Sequence, residues 1–156
     1  MWEDIDFIDV PGKLIPEWLG VRNRPSASAA HRYTIDRHMV EVVTRLGRET
    51  PSGGRYDDRH YEALLLAGIL HDIGKRPGVA NHAAEGARHA TVVVERMGFD
   101  RDIVRWVTLL VREHLTLSEF ATGRNPNDPN VGDDLAGRLD HNPVLLDMLF
   151  DLTRAD

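Results

Sequence analysis

The chain has 156 residues, no cysteine and a net charge of −6 at pH 7 from 25 acidic and 19 basic residues. That length suits one domain with a buried core, and the absence of cysteine excludes disulfides and thiolate metal sites. The acidic balance argues against a nucleic-acid partner, and with neither a signal peptide nor a membrane-spanning apolar run we expect a cytoplasmic protein with no membrane partner.

Residues 1–30 are predicted to form an N-terminal extension and connector, because Pro11, Pro16 and Pro25 interrupt any helix. One short turn is expected over Pro16–Gly20, where proline occupies the first position. Residues 26–30, rich in serine and alanine, are expected to be the connector. Four apolar residues of this extension are expected to dock on the main domain, namely Leu14, Ile15, Trp18 and Leu19.

The first long helix is predicted to begin after Thr34, a favourable N-cap, and to stop near Gly47. His38 lies on its apolar face and is therefore expected to point inward. That face is formed by Ile35, Met39, Val42, Val43 and Leu46.

The second helix is predicted over residues 58–72 and is apolar nearly throughout, as is typical of a central helix covered on most sides. It ends in His71 and Asp72, and Lys75, one of only two lysines, follows. A buried histidine and carboxylate side by side indicate a bound metal ion, because a cation removes the cost of burying Asp72 as a bare charge.

The third helix is predicted to start at or just before His82, which lies on the apolar stripe of that helix. A turn over residues 98–100 follows, and Asp100 is expected to cap the fourth helix. The apolar stripe of the fourth helix runs through Leu110 and Val111, and its continuation reaches His114.

Residues 117–132 are predicted to be mixed structure that ends in a loop over residues 123–130, with a short helix over residues 133–139. The last helix is predicted to start at Asn142-Pro143, a cap followed by a first-position proline. Asp156 lies four residues after the last residue of the apolar stripe of that helix. No segment alternates like a strand, so the predicted fold is all-α, an irregular bundle of five or six helices around a buried metal centre.

Five of these predicted helices, all except the short one over residues 133–139, carry a histidine or aspartate that could bind a metal at the end of an apolar stripe or within it. A lone histidine there is more often a core residue with one hydrogen-bond partner, but several such residues together favour a shared site. The set suits two divalent ions, with Asp72 as the bridge because its carboxylate can offer one oxygen to each. Manganese or magnesium is expected first, with iron or zinc as alternatives. The candidate ligands are His38, His71, Asp72, His82, His114 and Asp156.

The other histidines are treated separately. His89 follows His82 by seven residues, too far along the helix to share its ion, and is expected to pack or to support a ligand. His60 and His141 lie beside polar loops and are expected to be exposed. His31 is a candidate for contact with the ligands or with substrate. A solvated face on the last helix is expected for Asp147, Asp151 and Arg154.

This pattern resembles the metal-binding signature of the HD phosphohydrolase superfamily: His38, the pair His71-Asp72 and a distal Asp156. The additional His82 and the Glu113-His114 pair resemble its six-ligand, two-metal branch. More narrowly, the chain resembles the HD domain of the bifunctional PII uridylyltransferase/uridylyl-removing enzymes. That resemblance is carried by residues 14–18, 31–38, 64–75, 106–118 and 152–156.

The resemblance implies an HD phosphohydrolase domain over residues 31–156 that removes a nucleotidyl group, UMP or AMP, from a tyrosine of the PII nitrogen-signalling protein. It carries over the six candidate ligands, a catalytic role for Asp72 and a phosphate contact for Lys75. In that family the domain lies between a nucleotidyltransferase domain and two ACT domains. Neither is present, so we expect an excised part of a longer multidomain enzyme.

Two departures from the family pattern bear on the site. Residues 76–81 read Arg-Pro-Gly-Val-Ala-Asn, where the family commonly has glycines and an aspartate, and Asp156 is the final residue of the sequence, where the chain can fray. Two other functions stay open. The first is a free-standing HD nucleotidase or cyclic-nucleotide phosphodiesterase, and the second is an inactive metal-binding regulatory domain.

Overall fold

The structure is a computed structural model that describes residues 2–25, 33–50, 53–125 and 128–156. These residues form nine α-helices and one 3₁₀ turn, more than the five or six helices that the sequence pattern predicts. Their only β-type pairing is an isolated antiparallel bridge between Pro25 and Thr34. The predicted all-α class is therefore confirmed, while the predicted connector over residues 26–30 lies outside the described residues.

The N-terminal segment is more regular than predicted. Helix α1 spans Trp2–Phe7 and α2 spans Val10–Leu14, so the prediction that the prolines interrupt any helix in this segment is wrong at Pro11. Pro11 lies in the first turn of α2. Backbone N–H groups there have no acceptor within the helix, so the missing N–H of proline costs no hydrogen bond. The predicted turn over Pro16–Gly20 is present as a 3₁₀ helix.

Trp18 anchors this segment to the main body of the protein. It is buried in a small core together with Val21, Ile35 and Met39, and Ile15 packs against the same group. The prediction that Leu14 and Leu19 also dock is wrong, since they are 64% and 54% exposed. Docking is thus achieved by one face of the 3₁₀ turn and not by every apolar residue of the segment.

Helices α3 and α4 span Ile35–Glu49 and Asp58–Leu70. Thr34 occupies the N-cap position of α3 as predicted, but Gly47 does not end the helix. Helix α4 is capped by Asp57, whose side chain accepts a hydrogen bond from the backbone N–H of His60. The helix stops at Leu70, so His71 and Asp72 lie in the turn that follows it.

Helices α5 and α6 span His82–Arg96 and Arg101–Glu113 and pack against each other. Asn81 caps α5, and Asp100 caps α6 by accepting hydrogen bonds from the N–H groups of Asp102 and Ile103. The predicted start at His82 and the predicted cap at Asp100 are both confirmed. Because α6 ends at Glu113, His114 also lies just beyond a helix end.

The C-terminal third consists of α7 over Thr116–Gly123, α8 over Pro129–Arg138 and α9 over Pro143–Ala155. The predicted mixed segment is therefore largely helical. The predicted loop ends earlier than expected because Asp128 caps α8 by accepting from the N–H of Asn130. The predicted cap and first-position proline of α9 are confirmed.

Helix α4 is the centre of the bundle and contacts α3, α5, α6 and α9. Its side chains Leu64, Ala67 and Leu70 are fully buried, which explains its nearly continuous apolar sequence. The main core thus surrounds the element that carries His71 and Asp72 at its end. Within the described ranges, none of the helices has the length and apolar character needed to cross a bilayer.

Candidate metal centre

Five separate elements deliver the six candidate ligands to one region. His38 lies near the start of α3, and His82 is the first residue of α5. The remaining ligands follow helix ends: His71 and Asp72 after α4, His114 after α6 and Asp156 after α9.

His38, His71 and Asp156 form one half of the cluster. The Nε2 atom of His38 lies 2.7 Å from Oδ1 of Asp156 and 3.3 Å from Nε2 of His71. The same Asp156 oxygen lies 3.5 Å from His71 Nε2. Since a carboxylate can only accept, His38 donates from Nε2 in this arrangement.

Asp72 lies between this half and the other one. Its Oδ2 atom is 3.8 Å from His71 Nε2, and its Oδ1 atom is 3.6 Å from His82 Nε2 and 3.7 Å from His114 Nε2. Its two oxygens therefore face different histidines. Two sets of three side chains result, His38–His71–Asp72 and Asp72–His82–His114, each with ligand atoms within 4.8 Å of one another.

The two fully enclosed imidazoles are oriented by backbone carbonyls. His71 places Nδ1 2.9 Å from the carbonyl oxygen of Gly68, and His114 places Nδ1 2.7 Å from that of Val111. A carbonyl only accepts, so Nδ1 is the donor in both rings, which leaves Nε2 directed at the cluster. This is how metal-binding histidines are commonly held.

His82 gives an independent test of whether the cluster fits a metal ion. Its Nε2 atom is buried and has no hydrogen-bond partner in the described part of the chain. A buried ring nitrogen without a partner is costly in a native protein unless something else binds it. Because that atom faces Asp72 and lies beside His114, a divalent cation there would satisfy it. The donor set of imidazole and carboxylate is appropriate to such an ion.

Burial keeps the second set ready to bind a cation. Desolvation lowers the pKa of His114 to about 4, with the nearby His71 adding to the effect. Desolvation also lowers the pKa of His82. Both rings are therefore neutral near pH 7, the form in which imidazole binds metals.

The pKa of His71 moves in the opposite direction. Burial alone would lower it, but the carboxylates of Asp156 and Asp72 outweigh burial and raise the pKa of His71. The pKa of Asp72 is lowered, since the charges of His71 and Lys75 outweigh its own desolvation. In the same way His38 and His71 hold the pKa of Asp156 below its ordinary range. Both carboxylates are thus ionised.

Lys75 is the nearest ammonium group to the cluster. Its Nζ atom lies 3.0 Å from Oδ2 of Asp72, and the turn after α4 holds it there because the Lys75 N–H donates to the Asp72 carbonyl oxygen. The Lys75 side chain is partly exposed, whereas Asp72 is buried. A positive charge therefore lies where the cluster opens toward solvent.

Two glycines allow the end of α4 to approach the start of α5. A Cβ atom at Gly74 would collide with the backbone nitrogen of Gly86 and with the carbonyl oxygen of His82. A Cβ atom at Gly86 would come within 3.3 Å of the carbonyl oxygen of His71. This backbone contact brings His82 to the His71-Asp72 pair.

The other predicted histidine roles have mixed outcomes. His31 lies outside the described residues. His89 is directed at Glu85, with Nε2 3.1 Å from its Oε1, and His141 is exposed. The prediction that His60 is exposed is wrong, because its ring stacks on Trp106 with ring centroids 4.2 Å apart.

Among the buried carboxylates that the sequence pattern does not predict, Asp151 and Glu113 accept hydrogen bonds from other side chains. Asp151 was assigned to a solvated face, but it is only 7% exposed and accepts hydrogen bonds from Tyr56 and Arg55. Glu113, directly before His114, accepts from Thr116 and Arg138. The residues that hydrogen-bond to these two carboxylates lie on other elements, so the apolar periodicity of one helix cannot predict that the carboxylates are buried. The one local indication is the spacing of three residues between Glu113 and its partner Thr116.

No protein-family model matches the chain. Curated proteins do match it over nearly its whole length, and three bacterial examples share the description bifunctional uridylyltransferase/uridylyl-removing enzyme. The protein from Mycobacterium tuberculosis H37Rv is 36% identical over 154 residues, which cover 99% of this chain. The protein from Streptomyces coelicolor is 37% identical over 157 residues and covers all of it. The Caulobacter vibrioides protein is 36% identical and covers 94%.

The chain spans only a small part of these relatives, 18% of the Mycobacterium and Streptomyces proteins and 16% of the Caulobacter protein. The matches confirm the resemblance indicated by the motifs. They also restrict it to one segment of a much longer protein.

Proposed function

The chain is homologous over nearly its whole length to one segment of the bifunctional uridylyltransferase/uridylyl-removing enzymes, and from this premise we propose that it hydrolyses phosphodiesters with divalent metal ions. The substrate is a nucleotidyl group, uridylyl or adenylyl, attached to a tyrosine of the PII protein. The catalytic unit is residues 31–156.

The observation that carries this proposal is the position of Asp72. Its two carboxylate oxygens face two different sets of histidines, as a ligand that bridges two ions would require. His38 and His71 would hold one ion together with Asp156, which lies 2.7 and 3.5 Å from their Nε2 atoms, and His82 and His114 would hold the other. Manganese and magnesium are the first candidates for both positions.

Bound divalent ions supply Lewis acidity toward a phosphate and a hydroxide nucleophile near neutral pH. The chain itself supplies orientation and charge. The Nε2 atoms of His71 and His114 are fixed by their carbonyl partners, so the site needs little rearrangement to bind. The Lys75 ammonium, at the open side of Asp72, is placed to neutralise charge on a non-bridging phosphate oxygen. The tyrosine phenolate, with a pKa of about 10, is an acceptable leaving group.

The proposal is tested by assaying the purified chain with Mn²⁺ against uridylylated PII, adenylylated PII and a panel of free and cyclic nucleotides. Release of UMP or AMP from PII is expected. Asp72→Asn should abolish release, while Asp147→Asn, an exposed aspartate on α9, should leave it unchanged.

Three outcomes would contradict the proposal. Hydrolysis of free or cyclic nucleotides with no action on PII would favour the nucleotidase or cyclic-nucleotide phosphodiesterase function. Full activity of the Asp72→Asn variant would remove Asp72 from the chemistry. Metal binding with no hydrolysis of any substrate would favour a regulatory domain.

A further inference from the structure

His82 lies between two cavities that share no other lining residue. The first, of about 410 Å³, is bounded by the segment before α3 and the turn after α4. The second, of about 550 Å³, is bounded by the start of α5 and the end of α6. Both volumes lie within the range of about 300 to 1,000 Å³ that is typical of small-molecule sites. His82 is therefore the candidate ligand that borders both cavities, and the other five ligands line neither of them.

The first cavity, hereafter the cationic cavity, combines positive charge with apolar surface. Arg24, Lys75 and Arg76 line it, and none of the described residues that line it is acidic. Its apolar lining includes Ile35 and Val79. An anion attached to a flat, partly apolar group fits this combination.

The two arginines of this cavity are positioned by contacts with the backbone. Arg24 is fixed through its own backbone, because its carbonyl oxygen accepts from the N–H of Ile35 at 2.9 Å, while its side chain is exposed. Arg76 donates from Nη2 to the carbonyl oxygen of Glu17 at 2.7 Å. The Arg76 Nε atom is buried next to Gly20, without a hydrogen-bond partner in the described part of the chain.

Gly20 makes room for Arg76, since a Cβ atom there would collide with the guanidinium group. The 3₁₀ turn that contains Glu17 and Gly20 is also the part of the N-terminal segment that docks through Trp18. The N-terminal segment thus forms part of the wall beside the metal centre and is more than a connector.

The second cavity has a different charge pattern. It contains the carboxylates of Glu113 and Glu119 together with Arg112 and Arg138, and Arg138 already donates to Glu113 at 3.2 Å and to Asp134 at 3.2 Å. The charges of its lining balance, so it offers a phosphate no net positive charge, whereas its polar walls suit a polypeptide loop.

From this contrast we propose that the cationic cavity binds the nucleotidyl half of the substrate. This assignment rests on the proposed function and specifies which cavity binds the nucleotide and which one admits the protein that carries it. The phosphate lies at the Lys75 end, next to Asp72, with Arg24 and Arg76 on its far side. The ribose and base pack against Ile35 and Val79, and the protein that carries the tyrosine approaches through the second cavity.

Binding of the product tests the assignment without relying on catalysis. Isothermal titration of the metal-free and the Mn²⁺-loaded chain with UMP, AMP and inorganic phosphate is the direct measurement. Arg24→Ala should weaken UMP and phosphate binding about tenfold, the size of one charge-assisted contact. Arg48→Ala, an exposed arginine on α3 outside the cavity, is the matched control and should bind both as the parent chain does.

A second variant separates nucleotide from simple anion binding. Val79→Ala should weaken UMP binding and leave inorganic phosphate unaffected, because it removes only apolar surface. If both variants bind UMP like the Arg48→Ala control, or if the parent chain does not bind UMP, the assignment is overturned. Equal loss of UMP and phosphate in Val79→Ala would also overturn the position of the base.

These results are distinguishable from failure of the proposed function. Hydrolysis of nucleotidylated PII with UMP binding that is insensitive to Arg24 would keep the function and reject the cavity. Arg24-dependent UMP binding in a chain that does not act on nucleotidylated PII would reject the function and keep the cavity as a nucleotide site.

Discussion

His82 and His89 lie seven residues apart on α5, yet they face different surroundings. His82 is directed at Asp72 and His114, and His89 at Glu85. We expect His82→Ala to lower the affinity of the metal centre for Mn²⁺ by about 100-fold or more, because loss of a ligand exceeds the effect of losing a supporting contact. His89→Ala should bind Mn²⁺ like the parent chain. Calorimetric titration checks both, and equal losses in the two variants would contradict the assignment of ligands.

The raised pKa of His71 predicts how metal binding depends on pH. Its Nδ1 donates to a carbonyl, so the proton that an ion must displace is on Nε2. Affinity for Mn²⁺ should therefore fall as the pH drops through this raised pKa, which lies above the ordinary value of 6.5. His114, whose pKa is about 4, is already neutral in that range and should contribute no proton.

The thermal stability of the metal-free chain should depend on pH in the opposite direction to its affinity for Mn²⁺. A group whose pKa is raised on folding stabilises the protein fully below its unfolded pKa and loses that effect as the pH rises through the folded value. We expect the metal-free chain to lose thermal stability as the pH rises from 6.5 through the raised pKa of His71, while Mn²⁺ affinity increases over the same interval. Melting curves in chelator and titrations in Mn²⁺ measure the two trends. Parallel slopes would mean that His71 is not the group that titrates.

At the scale of elements, the contact between the end of α4 and the start of α5 determines whether the two halves of the metal centre meet. Gly74→Ala forces a side chain into the backbone of α5 and should cost about 1 to 3 kcal/mol of unfolding free energy. Gly132→Ala in α8 has open space around its Cβ atom and should be neutral or stabilising.

The same pair of variants links this contact to the site. Displacement of α5 moves His82 away from Asp72, so Gly74→Ala should also weaken Mn²⁺ binding, whereas Gly132→Ala should not. Denaturant unfolding and Mn²⁺ titration of both variants provide the readouts. Normal stability and metal affinity in Gly74→Ala would show that the helices are not in backbone contact.

Capping of α6 gives a prediction that is independent of the metal. Arg59 pairs with both Asp100 and Asp102, at 2.7 and 3.1 Å, but only Asp100 accepts hydrogen bonds from the first turn of the helix. Asp100→Ala should therefore cost about 1 kcal/mol, or about 2 to 4 °C in melting temperature. Asp102→Ala, which removes the same kind of ion pair, should cost less. Equal melting temperatures for the two variants would contradict the cap.

Local signals are sufficient for most of the helices. Thr34, Asp100 and Asn142 each occupy the cap position that the sequence predicts, and the side chains of Asp100 and Asn142 accept hydrogen bonds from first-turn N–H groups, contacts that depend only on residues within one turn. Asp151 shows where such signals fail. Its partners Tyr56 and Arg55 lie 95 and 96 residues away along the chain, so a local pattern cannot distinguish it from a solvated aspartate.

In the candidate metal centre, too, some features follow from local sequence patterns and others depend on contacts between distant residues. The inward direction of His38 and His114 follows from apolar periodicity, which a sequence displays directly. That the two oxygens of Asp72 face different histidines depends on packing among α4, α5 and α6, and that the N-terminal 3₁₀ turn supports Arg76 depends on a distant contact. Neither could be obtained from spacing alone.

At the scale of the whole molecule, the candidate metal centre connects parts of the chain that are remote in sequence. His38 and Asp156 are 118 residues apart, yet their side chains are in hydrogen-bond contact. Ligands from α3, α5 and the ends of α4, α6 and α9 converge there. Ions that bind these ligands stabilise the folded chain by an amount that rises with the logarithm of the ion concentration relative to the dissociation constant.

We propose that these six side chains hold divalent metal ions, and an anomalous-difference map from crystals of the chain grown with Mn²⁺ would locate such ions. Two peaks are expected on either side of Asp72, one beside His38, His71 and Asp156 and the other beside His82 and His114. A map with no peak at Asp72, or with Mn²⁺ bound only elsewhere on the protein, would contradict it.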